Sequence, residues 1–279
     1  MKRMQFIANL AAAIALLAST AVLDAEPILY STTGGGSTLV RIDVGAGTVT
    51  TIGAFGVPGA FAIAISPRGK LYTVTQGFPA GGVNPQLARV APVTGLATPF
   101  GVNLNPENFM GIGFSRNGKL YGVNAGSGTP NQNSLYRFNL KTGKAKKVGV
   151  TGGCGDIMDL AWHPDGTMYG AAWDSLYRIN RHTGQADLVT TLQGLTMVMG
   201  LAIDDDGNFY VTEIVDNSPL WRVDPVTGAK TAVAGVSLSF PHGLEFIPTD
   251  ADDDDKDADD DDKDADDDDK GHGSRRSGK

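Results

Sequence analysis

Asn108, Asn124, Asp156 and Glu213, with Glu107 and Asp159 close to them in the chain, are the side-chain types that hold a divalent ion or act as general acid and base. An ion site would need at least three of these oxygens within about 2.0 to 2.6 Å of one ion. A glycosidase would need a carboxylate pair roughly 5 to 9.5 Å apart across a cleft. A different chemistry is offered by Gln76, Asn84, Gln86, Asn131, Gln132 and Asn133 together with Trp173, because amides hydrogen-bond and an indole stacks on a sugar or a peptide. His242 has no second histidine or cysteine near it in sequence and is expected to be a hydrogen-bonded polar group rather than a metal ligand.

Other motifs fall away on inspection. Gly113 to Lys119 mimics a phosphate loop, but Leu120 stands where a Ser or Thr is needed, and the segment reads as a hairpin turn. Asp204-Asp205-Asp206-Gly207 resembles the start of a calcium loop but lacks the distal Glu, so it too reads as a turn. No Gly-x-Ser-x-Gly elbow, His-Glu-x-x-His pair or paired Cys ligands occur.

The elements that must position these residues are set by an internal repeat. Arg41, Arg89, Arg137, Arg178 and Arg222 mark five copies at spacings of 48, 48, 41 and 44 residues, the length of one four-stranded propeller blade. Each copy is rich in Val, Ile, Thr, Tyr and Gly and alternates apolar and polar residues, which is a strand period. The first strand of each blade is expected at 61–65, 110–114, 158–162, 199–203 and 242–246. The second follows a glycine turn at Gly69, Gly118, Gly166 or Gly207, the third carries the arginine, and the fourth follows Gly47, Gly95, Gly143, Gly184 or Gly228. The last first-strand, 242–246, lacks a successor, and Ile28-Leu29-Tyr30 lacks a predecessor. The prediction is an all-β, five-bladed β-propeller of four-stranded blades, its ring closed by three N-terminal strands and one C-terminal strand.

What recurs in every blade is expected to be scaffold, and what breaks the repeat to be a candidate for function. The arginines are expected to lie along the neighbouring blade and pair with Asp43, Asn139, Asn180 or Asp224, and the recurring Tyr to act as a wedge between blades. The second-to-third and fourth-to-first connections vary in length: 76–86 spans 11 residues, 173–175 only three. Their face is therefore where binding is expected. The channel lip on that face, Phe61, Met110, Met158, Met199 and His242, is apolar at four of five places.

The stretch Gly-Leu-Ala-Ile-Asp-Asp-Asp-Gly-Asn-Phe-Tyr-Val at 200–211, followed by Leu-Trp-Arg-Val-Asp at 220–224, resembles the NHL, YncE-like and SMP-30/lactonase-like group of bacterial propellers. The resemblance extends over residues 28–248. It implies the propeller fold and leaves activity open, since that group includes binding proteins, hydrolases and lyases.

Composition bounds the partners. Residues 26–249 carry 15 acidic and 15 basic groups, and residues 250–279 carry 15 Asp against 6 Lys and Arg. A neutral body with an acidic tail excludes nucleic acid and anionic lipid surfaces, which need clustered cations. Residues 1–25 have the basic, apolar and small-residue order of a secretory signal, with cleavage expected after Ala21 or Ala25, so export without membrane insertion is expected. Cys154 is the only cysteine.

The tail repeats Asp-Ala-Asp-Asp-Asp-Asp-Lys three times, and a composition so poor in apolar residues is expected to be disordered. Its alternating Asp250, Asp252, Asp254, Asp257, Asp259, Asp261, Asp264, Asp266 and Asp268 weakly resemble thrombospondin type 3 calcium repeats. Asp255, Asp262 and Asp269 replace the glycine of those loops. Weak, multivalent Ca²⁺ binding is the cofactor expectation. Together these features describe a signal (1–25), a propeller (26–249) and a tail (250–279). The expected function is non-catalytic binding of a protein, peptide or carbohydrate on the variable-loop face, with a metal-dependent lactonase-like hydrolase at the channel as the alternative and a glycosidase as a third.

Overall fold

A computed structural model describes residues 27–75, 85–104, 108–125 and 133–247. The signal and tail expectations lie outside them. Twenty strands form five antiparallel sheets of four. Blade one holds β1 (Ile28–Thr33), β2 (Thr38–Asp43) and β3 (Thr48–Ala54). Blade two holds β4 (Ala64–Ile65), β5 (Leu71–Val74), β6 (Leu87–Val90) and β7 (Ala97–Phe100), and blade three β8 (Phe109–Phe114), β9 (Leu120–Asn124), β10 (Ser134–Phe138) and β11 (Ala145–Val150). Blade four holds β12 (Asp159–Trp162), β13 (Met168–Ala172), β14 (Ser175–Ile179) and β15 (Ala186–Thr191). Blade five holds β16 (Val198–Ile203), β17 (Phe209–Glu213), β18 (Trp221–Val223) and β19 (Lys230–Ala232).

The ring closes as the repeat requires. β20 (Leu244–Phe246) pairs with β1 through Leu29↔Phe246, Tyr30↔Glu245 and Ser31↔Leu244 and completes blade one. The inner strands β20, β4, β8, β12 and β16 touch in a circle. The chain is a five-bladed β-propeller.

The apolar alternation is spent between the blades. Each of the five blade interfaces has its own buried cluster, for example Tyr72, Leu87, Phe109 and Ile112 between blades two and three, and Leu29, Ile42, Tyr210 and Leu220 between five and one. The recurring Tyr is the expected wedge: Tyr72 meets Phe114 at 5.4 Å and Tyr121 meets Trp162 at 5.6 Å between ring centroids. Glycines let blades approach at their outer turns. A Cβ on Gly228, whose φ is 71°, would stand 2.0 Å from the Thr191 carbonyl oxygen of the adjacent blade.

The arginine pairing differs from expectation. Asp43, Asn139, Asn180 and Asp224 each accept backbone N–H bonds from their own third-to-fourth-strand turn, such as Val226 N–H to Asp224 Oδ1 at 2.8 Å. Local turn capping wins because it orders no long side chain. Arg222 instead bonds Asn208, and Arg89 lies over Phe100.

Candidate binding site at the channel mouth

The second-to-third and fourth-to-first connections emerge on one face of the ring, and Asn108, Asn124, Asp156, Trp173, Glu213 and His242 all stand at that end. Most of these oxygens serve local structure. Asn124 Oδ1 is buried and accepts the Ser134 N–H at 2.9 Å, and Glu213 Oε1 accepts the Thr196 N–H at 3.0 Å, while Asn108 donates through Nδ2 to the Ala125 carbonyl at 3.1 Å and leaves its buried Oδ1 without a partner. Asp156 is half-buried beside Cys154 and adds to the burial that raises that thiol's pKa. These groups sit on blades three, four and five, and among the described residues no three His, Cys, Asp or Glu side chains converge on a common point. Gln76, Glu107, Asn84, Asn131, Gln132 and all the tail aspartates lie outside the described residues.

The lip itself is made by one position repeated in each inner strand. At Met110 and Met199 the strand pairing slips by one residue, so each methionine is the unpaired residue of a β-bulge. A bulge re-aims the side chain it carries. Met110, Met158 and Met199 come together in one cluster with Ala125 and Ile214. His242 is 5% exposed, its ring centroid 4.4 Å from that of Phe61. Burial lowers its pKa to about 4. Its imidazole, tilted 43° to the Phe61 ring, makes no hydrogen bond among the described residues, unlike the hydrogen-bonded histidine expected from sequence.

Two carboxylates face the channel: Asp159, next to the lip and already among the candidate oxygens, and Glu245, toward the opposite end, which sequence reasoning did not single out. Ala62, Gly111, Gly200 and Gly243 stand next to the lip residue in four blades, the three glycines facing the backbone of the following inner strand; blade four has Asp159 there. Two residues further on, Ala64, Gly113, Ala161 and Ala202 are matched in the last strand by Glu245. Asp159 is fully buried. Its Oδ1 accepts the Leu160 N–H at 3.0 Å, and its Oδ2 accepts Leu201 N–H at 2.9 Å and Leu244 N–H at 3.0 Å. Burial pushes its pKa well above the usual carboxylate range against the pull of these donors. Glu245 is also raised, by burial and then by Asp159, while accepting the N–H groups of Ile65 and Phe246. Both acids break the repeat, the signal that would have found Glu245 as well. Both are bolts between inner strands.

Around the lip runs a ridge of exposed apolar side chains: Trp173, Met197, Val215 and Phe240. Backbone bonds hold it together, from Val198 N–H to Trp173 O at 2.7 Å, Ile214 N–H to Met197 O at 2.9 Å and Phe240 N–H to Val215 O at 3.1 Å. Trp173 and Phe240 adopt φ of 53° and 45°, in the left-handed region that bulky residues avoid. At the opposite end of the channel a cleft of about 190 Å³ is lined by Phe114, Arg116, Trp162, Asp204 and Glu245.

Comparison with known proteins agrees with the geometry at the level of fold. Residues 62–200 match the family model described as a repeat of unknown function (DUF6923). A protein of unknown function from Bacteroides thetaiotaomicron is similar at 16% identity and TM-score 0.55, over 80% of this chain and 62% of its own. The chain thus spans less than two thirds of that structure. A chain of a nidogen/laminin complex (11% identity, TM-score 0.52, 79% of this chain and 98% of that one) and a protein of unknown function from Bacteroides caccae (13%, 0.51, 80% and 99%) are also similar. At these identities the likeness is one of fold. No curated protein matches the chain.

Proposed function

We propose that this chain is an exported, non-catalytic binding propeller that takes a peptide segment or a carbohydrate on the ridge around the channel mouth. The observation that carries the reading is the placement of Trp173 and Phe240: two aromatic side chains, 40% and 46% exposed, held by backbone conformations that cost about 1 to 3 kcal/mol each. Packing alone gives no return for that cost at a half-exposed position, whereas a stacking surface does. The engagement of the Asn124 and Glu213 oxygens by backbone N–H groups weighs toward binding and away from a lactonase-like metal site. The Asp-rich tail adds weak, multivalent Ca²⁺ binding outside the propeller.

The test is to probe peptide and glycan arrays with the mature chain and with a Trp173→Ser/Phe240→Ser variant, alongside a lactone-hydrolysis assay with and without Ca²⁺. Array ligands kept by the first protein and lost by the second support the reading. Metal-dependent turnover without array binding overturns it in favour of the hydrolase.

A further inference from the structure

The methionines of this chain are not spread through its core. Of the seven, two lie in residues 1–25; of the other five, Met110, Met158 and Met199 occupy the channel lip, Met197 its rim, and Met168 alone an interblade core. The structurally equivalent core positions of the inner strands, Ile63, Ile112, Leu160, Leu201 and Leu244, are hydrocarbon throughout. Sulfur is therefore concentrated at one level of one channel.

Three features turn that concentration into a ligand set. The bulges at Met110 and Met199 give those side chains an aim different from their strand neighbours, and the three thioethers meet in one cluster with Met158 and Met199 only 5% and 7% exposed. His242 occupies the same place in the next inner strand around the ring, and Gly200 lies against its carbonyl, so Met199 and His242 are neighbours. No hydrogen bond engages the imidazole among the described residues, and its nitrogens are not among the sealed, unpartnered polar atoms, so they stay open to an incoming ion. The carboxylate next to Met158, Asp159, has both oxygens occupied by backbone N–H groups, and the oxygen beside the methionines is the neutral amide of Asn108, whose Nδ2 lies 3.9 Å from the Met110 sulfur.

We propose that the channel mouth binds Cu(I) through the thioether sulfurs of Met110, Met158 and Met199 and the imidazole of His242. Three thioethers and an imidazole, against one neutral amide oxygen, select a soft, low-coordinate ion over Ca²⁺, Mg²⁺ or Zn²⁺, and flexible methionine side chains close onto it with little movement of the strands. The site lies inside the lip and does not depend on the aromatic ridge.

The test is an anaerobic titration of the full chain with Cu(I) under reducing conditions, in competition with bicinchoninate, with Ag(I) and Zn²⁺ titrated separately. One Cu(I) per chain is expected, displaced by Ag(I) and not by Zn²⁺. Affinity is expected to fall about tenfold or more in Met158→Leu/Met199→Leu and in His242→Gln. The Leu replacements conserve volume, and the half-exposed Met110→Leu serves as a third variant with little risk to folding. X-ray absorption of the loaded protein is expected to show sulfur neighbours together with nitrogen. Failure to retain Cu(I), unchanged affinity in all three variants, or a metal environment of nitrogen and oxygen alone overturns the proposal. Trp173→Ser is expected to leave Cu(I) binding intact, which separates this site from the ridge.

Discussion

Asp159 on blade four and Leu244 on blade one are 85 residues apart and are joined by one hydrogen bond of 3.0 Å, from the Leu244 N–H to the Asp159 Oδ2. The same oxygen takes the Leu201 N–H of the intervening blade. One side chain thus ties three inner strands, including the strand that closes the ring. Asp159→Ala is expected to leave three buried N–H groups unpaired, at about 1 to 3 kcal/mol each, and to lower the free energy of unfolding by about 3 kcal/mol or more. Urea denaturation followed by circular dichroism measures the loss, and a change within experimental error would show that the bolt is dispensable.

Glu245 carries a pH dependence of opposite sense to an ordinary surface carboxylate. Burial, then the Asp159 charge, raises its pKa, so the folded chain keeps a proton that the unfolded chain releases above about pH 4.3. Its stabilisation is full below that pH and is lost as pH rises through the raised value. Glu245→Gln is expected to match the parent at pH 4 and to become progressively more stable than it toward pH 9, measured by urea titrations at each pH. Protonation of His242 removes stability from both proteins between about pH 6.5 and its lowered value of about 4, so it cancels in the comparison.

At Trp173 stability and binding are expected to part company. Asn tolerates the left-handed backbone that Trp173 occupies at φ 53°. Trp173→Asn should therefore change stability by less than about 1 kcal/mol, because relief of strain offsets the lost contact area, while removing the array ligands. A loss well above that value in thermal or urea unfolding would mean that the indole is part of the core.

Gly228 sets how closely blades four and five approach. Its positive φ and the 2.0 Å that would separate a Cβ from the Thr191 carbonyl oxygen leave no room for a methyl group. Gly228→Ala is expected to cost about 2 kcal/mol or more. Gly118, with the same sign of φ but open space around it, should cost less when changed to Ala. Parallel denaturation of the two variants tests the ordering.

Cys154 is half-buried, its Sγ 3.6 Å from the Thr151 carbonyl oxygen, and burial pushes the thiol pKa up. A thiol with less thiolate than free cysteine reacts slowly. Labelling of the folded protein by a disulfide reagent at pH 7.4 is expected to be slower than that of free cysteine, with full reactivity recovered in denaturant. Labelling faster than free cysteine would mark an activated thiol.

The fold was legible in the chain because a propeller is a local repeat. Five arginine-bearing strands, the turn glycines Gly69 and Gly118, and an orphan strand at each end specify blades and ring closure by counting, without knowledge of any long-range contact. Trp173 was legible as a repeat-breaking aromatic. Asp159 and Glu245 obeyed the same rule, since each replaces a small residue, but their role depends on which N–H groups of other blades face them. Only ring closure decides that.

Turn chemistry competed with the sequence expectation as well. Asp43 and Asp224 are acidic and close to arginines, yet each caps its own turn, because a bond three residues away orders less chain than one to a long side chain. What no string of residues conveys is convergence. Met110, Met158, Met199 and His242 are separated by 41 to 48 residues; the repeat groups them on one channel lip but reads them as apolar lining and a lone histidine. The five-fold ring sets them at one level of one channel, and the bulges aim Met110 and Met199. The local periodicities of the chain determined its blades; the distances between blades, and so any shared chemistry at their centre, were decided by the packing of the ring.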